Sequence, residues 1–212
     1  MYIPKINKIN NQDEIFRFIR ENPFAIIISN NNDGIIATHT PVELFVKPDG
    51  VTVLRTHIAK ANPQWKNFTD AGNVMVIFNG PHTYISSSWY NHVNVPTWNY
   101  IAIHVYGKPR ILDRAETISL LTDLVDRHEQ FSEKPFSMQH LDAQYLDNHL
   151  KALVAFEIQI EKIDAKEKLS QNRDAHNFNL VIDQLEKRPH EQSQAIQSEM
   201  NRIKKSCLSR KF

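Results

Sequence analysis

Three short segments hold the residues whose types and spacing could do chemistry. The first is LRTHIAKANPQW (54–65), in which Arg55, His57 and Lys60 follow one another closely at the end of a predicted strand. Two or three such donors bind a phosphate dianion, and the amides of a helix that begins at Asn62 would help. An exposed cationic turn has the same composition, so spacing alone leaves both interpretations open.

The second segment, YISSSWYNHVNVPTWNY (84–100), concentrates aromatic side chains with amides and a threonine between them: Tyr84, Trp89, Tyr90, Trp98 and Tyr100. Flat rings beside amides suit a planar heteroaromatic ligand, which stacks on one face and forms hydrogen bonds at its edge. An ordinary aromatic core would show the same pattern, and this alternative stays open here.

The third segment, EKLSQNR (167–173), offers several hydrogen-bond donors between the β-rich part of the chain and its C-terminal part. They are Lys168, Gln171, Asn172 and Arg173. A solvated linker is the competing interpretation.

Several other kinds of site are excluded by composition. The five glycines include no GxG, so GxGxxG and Walker A loops are absent and any bound phosphate must be held by side chains. The single cysteine, Cys207, excludes an internal disulfide and a CxxC zinc site. The ten histidines form no HExxH, so we assign no metal site, and no catalytic residue can be identified.

The charge is nearly balanced, with 25 Lys and Arg against 24 Asp and Glu, which excludes nucleic-acid binding by bulk charge. Residues 187–212 nevertheless carry seven bases and two acids, a local excess of +5. This excess is either a DNA contact or a solvated helix face. No stretch of 18 apolar residues and no signal peptide is present, so we expect a cytoplasmic protein without a membrane span.

The elements that must position these residues are mostly strands. Alternation and turn signals predict strands at 24–29, 35–39, 42–46, 51–55, 74–79, 83–88, 98–107 and 153–162. Asp33-Gly34 and KPDG (47–50) indicate hairpins, and Gly80-Pro81 predicts a break after 74–79. Helices are predicted at 11–22, 62–68, 113–128, 142–149, 174–187 and 190–207.

Seven or eight antiparallel strands with short connections favour a small barrel over a doubly wound parallel sheet. The fold class is therefore mainly β with α, with a helical C-terminal segment. We expect a β-barrel domain at 1–165 and a helical extension at 166–212. The strict alternation of 153–162 predicts a strand with one buried and one solvated face. Val154, Phe156, Ile158 and Ile160 form the first face, and the second is formed by Ala155, Glu157, Gln159 and Glu161.

Taken together, the motifs resemble one family. ENPFA (21–25), HIAKANPQW (57–65), IFNGPHTYISSSWY (77–90), VPTWNY (95–100) and KLSQNR (168–173) are similar to segments of the PaiB family of FMN-binding negative transcriptional regulators. The resemblance runs from Met1 to about Leu185 and implies a split β-barrel similar to that of pyridoxamine 5′-phosphate oxidases. It also implies a homodimer that holds FMN between subunits.

The same resemblance implies the ligand residues. Arg55 and Lys60 would pair with the FMN phosphate, assisted by His57 and Asn62. The other implied contacts are Thr38 and His39 near the flavin, Trp98, Asn99 and Tyr100 beside the isoalloxazine, and Lys168, Gln171 and Asn172 as its hydrogen-bond partners.

Two functions follow from this resemblance. The first is a regulator that represses genes for degradative enzymes and sporulation. The +5 excess of the C-terminal tail supports direct DNA contact, and indirect repression stays open because no helix-turn-helix pattern is present. The alternative is an FMN-dependent oxidoreductase or flavin reductase, in which the flavin supplies the hydride chemistry. A flavin carrier without either activity is a third, weaker possibility.

Overall fold

The computed structural model describes residues 1–31, 34–68 and 72–209, without the side chains of Asn31 and of residues 206–209. The chain forms two compact units. Unit 1 contains residues 1–15, 79–103 and 164–212, and unit 2 contains residues 16–78 and 104–163. Among the described residues, no helix is long and apolar enough to cross a membrane.

Seven strands and five α-helices make up the described chain. The strands are β1 (Phe24–Asn31), β2 (Gly34–Pro41), β3 (Glu43–Val46), β4 (Thr52–Ala59), β5 (Val74–Ile85), β6 (Thr97–Ile111) and β7 (Leu153–Lys168). The helices are α1 (Gln12–Glu21), α2 (Arg114–Glu129), α3 (Ala143–Leu150), α4 (Ala175–Glu186) and α5 (Glu191–Ser209). Short 3-10 turns include Pro63–Asn67 and Ser87–Trp89.

The strands form one sheet in the order β2-β1-β5-β6-β7-β4-β3. β1 pairs antiparallel with β2 and β5, and β4 pairs antiparallel with β3 and β7. In unit 2, hydrogen bonds also join β2 to β4: Thr40 Oγ1 donates to His57 O at 3.0 Å, and Thr56 Oγ1 donates to Pro41 O at 2.6 Å. Strands distant in the sheet order therefore meet, as a barrel requires.

The turn signals are confirmed where the structure describes them. Gly50 adopts a φ of +84° and its amide donates to Lys47 O at 2.9 Å, which closes the β3–β4 hairpin. β1 and β2 pair from Phe24 and Pro41 to Asn31 and Gly34, although Asp33 itself lies outside the described residues.

The predicted break at Gly80-Pro81 is wrong, because β5 continues to Ile85. Its pairing with β1 covers only residues 75–77, so Pro81 lies beyond that ladder, where a missing N–H costs no hydrogen bond to β1.

The predicted solvated face of 153–162 is also wrong over its first half. Ala155 and Glu157, expected to face water, are buried. Ala155 packs with Leu112 and with Leu120 of α2, so the helix covers this face of β7. Strict alternation marks the two faces of a strand but does not reveal whether a helix covers the second one.

Local capping signals fix the helix ends. Asn11 Oδ1 accepts the amides of Asp13 and Glu14 at the start of α1. Asp113 and Glu116 form a complete capping box at the start of α2. The mainly β fold with helices is therefore confirmed, whereas a domain boundary at residues 165 and 166 stays a prediction.

Candidate functional site

In unit 2, the end of β4 positions the residues expected to hold a phosphate. Asn62 caps the turn Pro63–Asn67, since its Oδ1 accepts the Gln64 amide at 3.0 Å. The Asn62 Nδ2 donates to Thr38 Oγ1 at 2.8 Å. The structure thus brings Thr38 and Asn62, which are 24 residues apart in sequence, into direct contact, and both residues are partly exposed.

Lys60 follows β4 directly and is exposed. Its Nζ lies 4.4 Å from the Trp65 ring centroid, and Trp65 Nε1 donates to Lys60 O at 3.0 Å. Lys60 lines a groove of about 380 Å³ that includes two carboxylates, Asp113 and Asp147. Arg114, which is paired with Asp147, and Lys151 add two more cations. Sequence reasoning missed these two residues, because they are distant in sequence and belong to no recognisable motif.

Arg55 lies in a different environment from Lys60. Its guanidinium lies 3.4 Å from the Phe45 ring centroid, and only 7% of the residue is exposed. Its Nε lies 3.9 Å from Glu157 Oε2. Neither Nε nor Nη1 has a hydrogen-bond acceptor among the described residues, so this guanidinium keeps unused capacity for an anion.

Glu157 is the centre of a buried ionic cluster, which we call the Glu157 cluster, formed with Lys47, Arg55 and Arg110. Glu157 is 4% exposed, and its carboxylate accepts hydrogen bonds from Lys47 Nζ at 3.1 Å and Arg110 Nε at 2.9 Å. Burial acts to raise its pKa, but the hydrogen bonds from Arg110 and Lys47 outweigh burial and keep the pKa below its usual range. Sequence analysis missed this cluster, having treated Glu157 as solvated.

The two histidines of the expected site differ in exposure. His57 is half-buried, and burial lowers its pKa, so it is neutral at pH 7 and can donate one hydrogen bond. His39 is exposed on β2, with its ring centroid 6.2 Å from that of Phe24.

In unit 1, β6 presents the expected aromatic residues. Trp98 is 53% exposed, and its ring centroid lies 6.2 Å from those of His82 and Tyr84. Trp98 and Tyr100 line the same groove, about 330 Å³ in volume, together with Gly80 and Ala102. An exposed indole at the edge of a groove can stack against a planar ring.

Asn99 lies between these two aromatic residues in sequence but is fully buried. Its Nδ2 donates to Ser170 Oγ at 3.0 Å, and Ser170 Oγ also lies 3.2 Å from Asn99 Oδ1. Asn99 therefore anchors Ser170, which adopts a positive φ of 63°. A direct contact between Asn99 and a flavin stays a prediction.

The donors of segment 167–173 are largely used within unit 1. Lys168 Nζ donates to Thr97 Oγ1. Gln171 Nε2 donates to Glu167 O, and Gln171 Oε1 accepts the Leu169 amide, both at 2.7 Å. Asn172 is exposed. Roles of Lys168, Gln171 and Asn172 in flavin binding stay predictions.

Comparison with known proteins identifies the family. Residues 1–162 match the family model described as "Putative FMN-binding domain". The chain is 42% identical over 186 residues to the "Protease synthase and sporulation protein PAI 2" of Bacillus subtilis (strain 168), which covers 88% of this chain and 89% of the relative. The chain belongs to the PaiB family. FMN is the cofactor of this family domain and of this chain.

Solved structures similar to this PaiB-family chain confirm the fold class. The flavocytochrome Anf3 from Azotobacter vinelandii aligns with a TM-score of 0.61 at 14% identity, covering 84% of this chain and 78% of the other. The FAD and heme binding protein from Mycobacterium smegmatis aligns with a TM-score of 0.58 at 13% identity, covering 82% and 78%. At these identities the similarity shows the fold alone, which is of the split-barrel type.

Unit 2 carries donors of the kind that a phosphate binds, and their role in holding FMN stays a prediction. Lys60 is an exposed cation, the Asn62 amide keeps one N–H beyond its bond to Thr38, and two nitrogens of Arg55, Nε and Nη1, have no acceptor among the described residues. The exposed face of Trp98 in unit 1 fits a flat ring. When bound, FMN would supply an isoalloxazine that can take up electrons or a hydride.

Proposed function

We propose that this chain is an FMN-binding negative transcriptional regulator of genes for degradative enzymes and sporulation. The observation that carries the proposal is the 42% identity with a relative whose name links it to protease synthesis and sporulation. As parts of the same proposal, the chain forms a homodimer, binds DNA and works in the cytoplasm, where DNA is accessible.

The DNA contact is proposed for the exposed lysines near the ends of α4 and α5: Lys187, Lys204 and Lys205. The other bases of the tail contribute less. Arg202 is neutralised, since it makes ion pairs with Glu14, Glu167 and Glu199. Arg188 stacks on Trp89, with its Cζ 4.5 Å from the ring centroid. Arg210 and Lys211 lie outside the described residues.

The DNA contact is tested by the salt dependence of a gel shift on promoter DNA. Each phosphate neutralised contributes about −0.9 to the slope of log K against log[salt], so the Lys187→Gln/Lys205→Gln variant should reduce the slope by about 2. The Lys66→Gln/Lys134→Gln variant, with the same charge change on exposed lysines of unit 2, should leave the slope unchanged. Equal slopes for both variants, or no shift at low salt, would refute direct DNA binding.

The phosphate contact is tested by comparing FMN with riboflavin, which lacks the phosphate. Lys60→Ala should weaken FMN binding about 5- to 150-fold, as expected for about 1–3 kcal/mol of charge-assisted bonding. It should leave riboflavin affinity unchanged. Lys66→Ala removes a nearby exposed lysine and serves as the matched control. Flavin fluorescence titration measures both ligands, and an equal loss for FMN and riboflavin would contradict the phosphate assignment.

The ring contact is tested at Trp98. Trp98→Ala should weaken FMN and riboflavin equally, because both ligands carry the same isoalloxazine, whereas Trp98→Phe should retain most of the affinity. Tyr145→Ala removes an exposed aromatic residue of unit 2 as the control.

Two further experiments test other parts of the proposal. Anaerobic bleaching of the bound flavin by NADPH would favour the oxidoreductase alternative. Light scattering that shows a monomer would refute the homodimer.

A further inference from the structure

A cavity in unit 1 lies in the C-terminal part of the chain. It has a volume of about 310 Å³ and is lined by residues of α4, of α5 and of the segment before α4: Gln171, Arg173, Ala175, Phe178, Asn179, Ile203 and Lys204. We call it the α4–α5 cavity. All of these residues follow residue 162, where the match to the family model ends, and Gln171 and Arg173 belong to the KLSQNR segment. The volume is within the range of small-molecule sites, about 300–1,000 Å³.

The walls of the α4–α5 cavity are apolar, and two cations stand at its boundary. Ala175, Phe178 and Ile203 supply the apolar surface. Among the described residues, no carboxylate lies within ion-pair distance of Arg173 or Lys204. A cavity with this lining favours a ligand with an anionic end and an apolar body.

The contacts of Arg173 leave much of its binding capacity unused. Arg173 Nη2 donates to Asn94 Oδ1 at 3.3 Å, and its Cζ lies 4.9 Å from the Tyr90 ring centroid. The Nε has no hydrogen-bond acceptor among the described residues. A guanidinium held by a ring and one amide is oriented but not neutralised, so it remains able to bind a carboxylate.

The contrast with Arg202 shows that charge compensation is available elsewhere on α5. Arg202 is two residues from Lys204 in sequence and pairs with three carboxylates. Lys204, by contrast, lines the cavity without such a partner among the described residues. Asn179 adds an acceptor, because its Oδ1 is buried and receives no hydrogen bond within the described chain. Such an acceptor selects a ligand that carries an N–H or O–H donor.

We propose that the α4–α5 cavity binds a small organic carboxylate with a flat apolar body and one N–H donor. The carboxylate pairs with Lys204 and Arg173, the apolar body packs against Phe178 and Ile203, and the donor bonds to Asn179. This site goes beyond the proposed function. It shares Gln171 with the expected flavin contacts and Lys204 with the proposed DNA contacts, so the test measures bound FMN together with the probe.

The test uses the full chain loaded with FMN and three related probes in isothermal titration calorimetry. Indole-3-acetate carries the carboxylate, the flat ring and the N–H. Indole-3-acetamide lacks the charge, and 1-methylindole-3-acetate lacks the donor. We expect saturable binding of indole-3-acetate, binding at least tenfold weaker for the acetamide, and a smaller loss for the methylated probe.

Variants locate the binding site. Lys204→Gln should weaken indole-3-acetate at least tenfold, whereas Lys205→Gln, a neighbouring exposed lysine that does not line the cavity, should leave it unchanged. Bound flavin, measured by absorbance, should be the same in both variants. The proposal is overturned by equal affinity for acetate and acetamide, by equal effects of the two lysine variants, or by competition between indole-3-acetate and FMN. The last outcome would assign the cavity to the flavin site, whereas a colourless protein that still binds the probe would refute only the flavin function.

Discussion

The Glu157 cluster provides a sharp test of how burial changes the contribution of an ion pair to the stability of the fold. Glu157 and Glu161 lie on the same strand, β7, and each contacts at least one cation. Glu161 lies 3.4 Å from Lys108 Nζ and accepts Asn73 Nδ2 at 2.6 Å. Their side chains differ in exposure, 5% for Glu157 against 37% for Glu161. The substitutions Glu157→Gln and Glu161→Gln therefore remove the same charge in two environments.

The expected losses of stability depend on the cations that keep their charge after each substitution. Removing one member of a buried ion pair costs about 3–5 kcal/mol, because the remaining charge is uncompensated. In the Glu157 cluster, the side chains of Lys47 and Arg110 are 29% and 49% exposed and can reach water, but that of Arg55 is 8% exposed and cannot. We therefore expect the free energy of unfolding to fall by about 3 kcal/mol in Glu157→Gln and by about 0–1 kcal/mol in Glu161→Gln.

Thermal unfolding followed by circular dichroism, at the same excess of FMN for every variant, measures the difference. For a chain of this size, 1 kcal/mol shifts Tm by about 2–4 °C, so Glu157→Gln should lower Tm by about 6–12 °C. Glu161→Gln should lower it by no more than about 4 °C. Equal shifts for the two variants would show that the cluster is solvated and that the reasoning from burial is wrong.

Three further predictions concern unit 2. Burial lowers the pKa of His57 below its usual 6.5, so the unfolded state takes up a proton before the folded state as pH falls. The stability of the native chain should therefore decline below about pH 6.5, and that of His57→Gln should decline less. Tm measured between pH 7.5 and 5 tests this. Asn62→Ala removes a cap and the bond to Thr38, so it should cost about 0.5–2 kcal/mol in urea unfolding, and no change would exclude the capping role. Gly107→Ala would place a Cβ against the backbone oxygen of Gln159, so we expect a loss of about 3 kcal/mol or more, visible as poor expression or a low Tm; wild-type stability would contradict the close approach of β6 and β7.

The sequence predicted those features whose cause is local. Asn62-Pro63 begins a turn, Asp113 and Glu116 make a capping box, and KPDG makes a hairpin, because each of these signals involves only neighbouring residues. The resemblance predicted the fold class and the cofactor, since its motifs extend over most of the chain.

Features that depend on distant partners were not predictable from the sequence. Whether Glu157 is solvated depends on Lys47 and Arg110, which lie 110 and 47 residues away. Arg114 and Lys151 enter the groove of Lys60 only through folding. The basic tail carries less free charge than its composition indicates, because Arg202 pairs with Glu14 and Glu167 from other parts of unit 1.

The interleaved order of the two units constrains how the protein is made. Unit 1 draws on three separate parts of the chain, of which the last begins at residue 164, and β5, β6 and β7 each contribute residues to both units. During synthesis on the ribosome, residues 1–15 and 79–103 must therefore wait for the final quarter of the polypeptide before their unit can be completed. A nascent chain stalled before that point would expose unfinished strands, so we expect it to depend on chaperones.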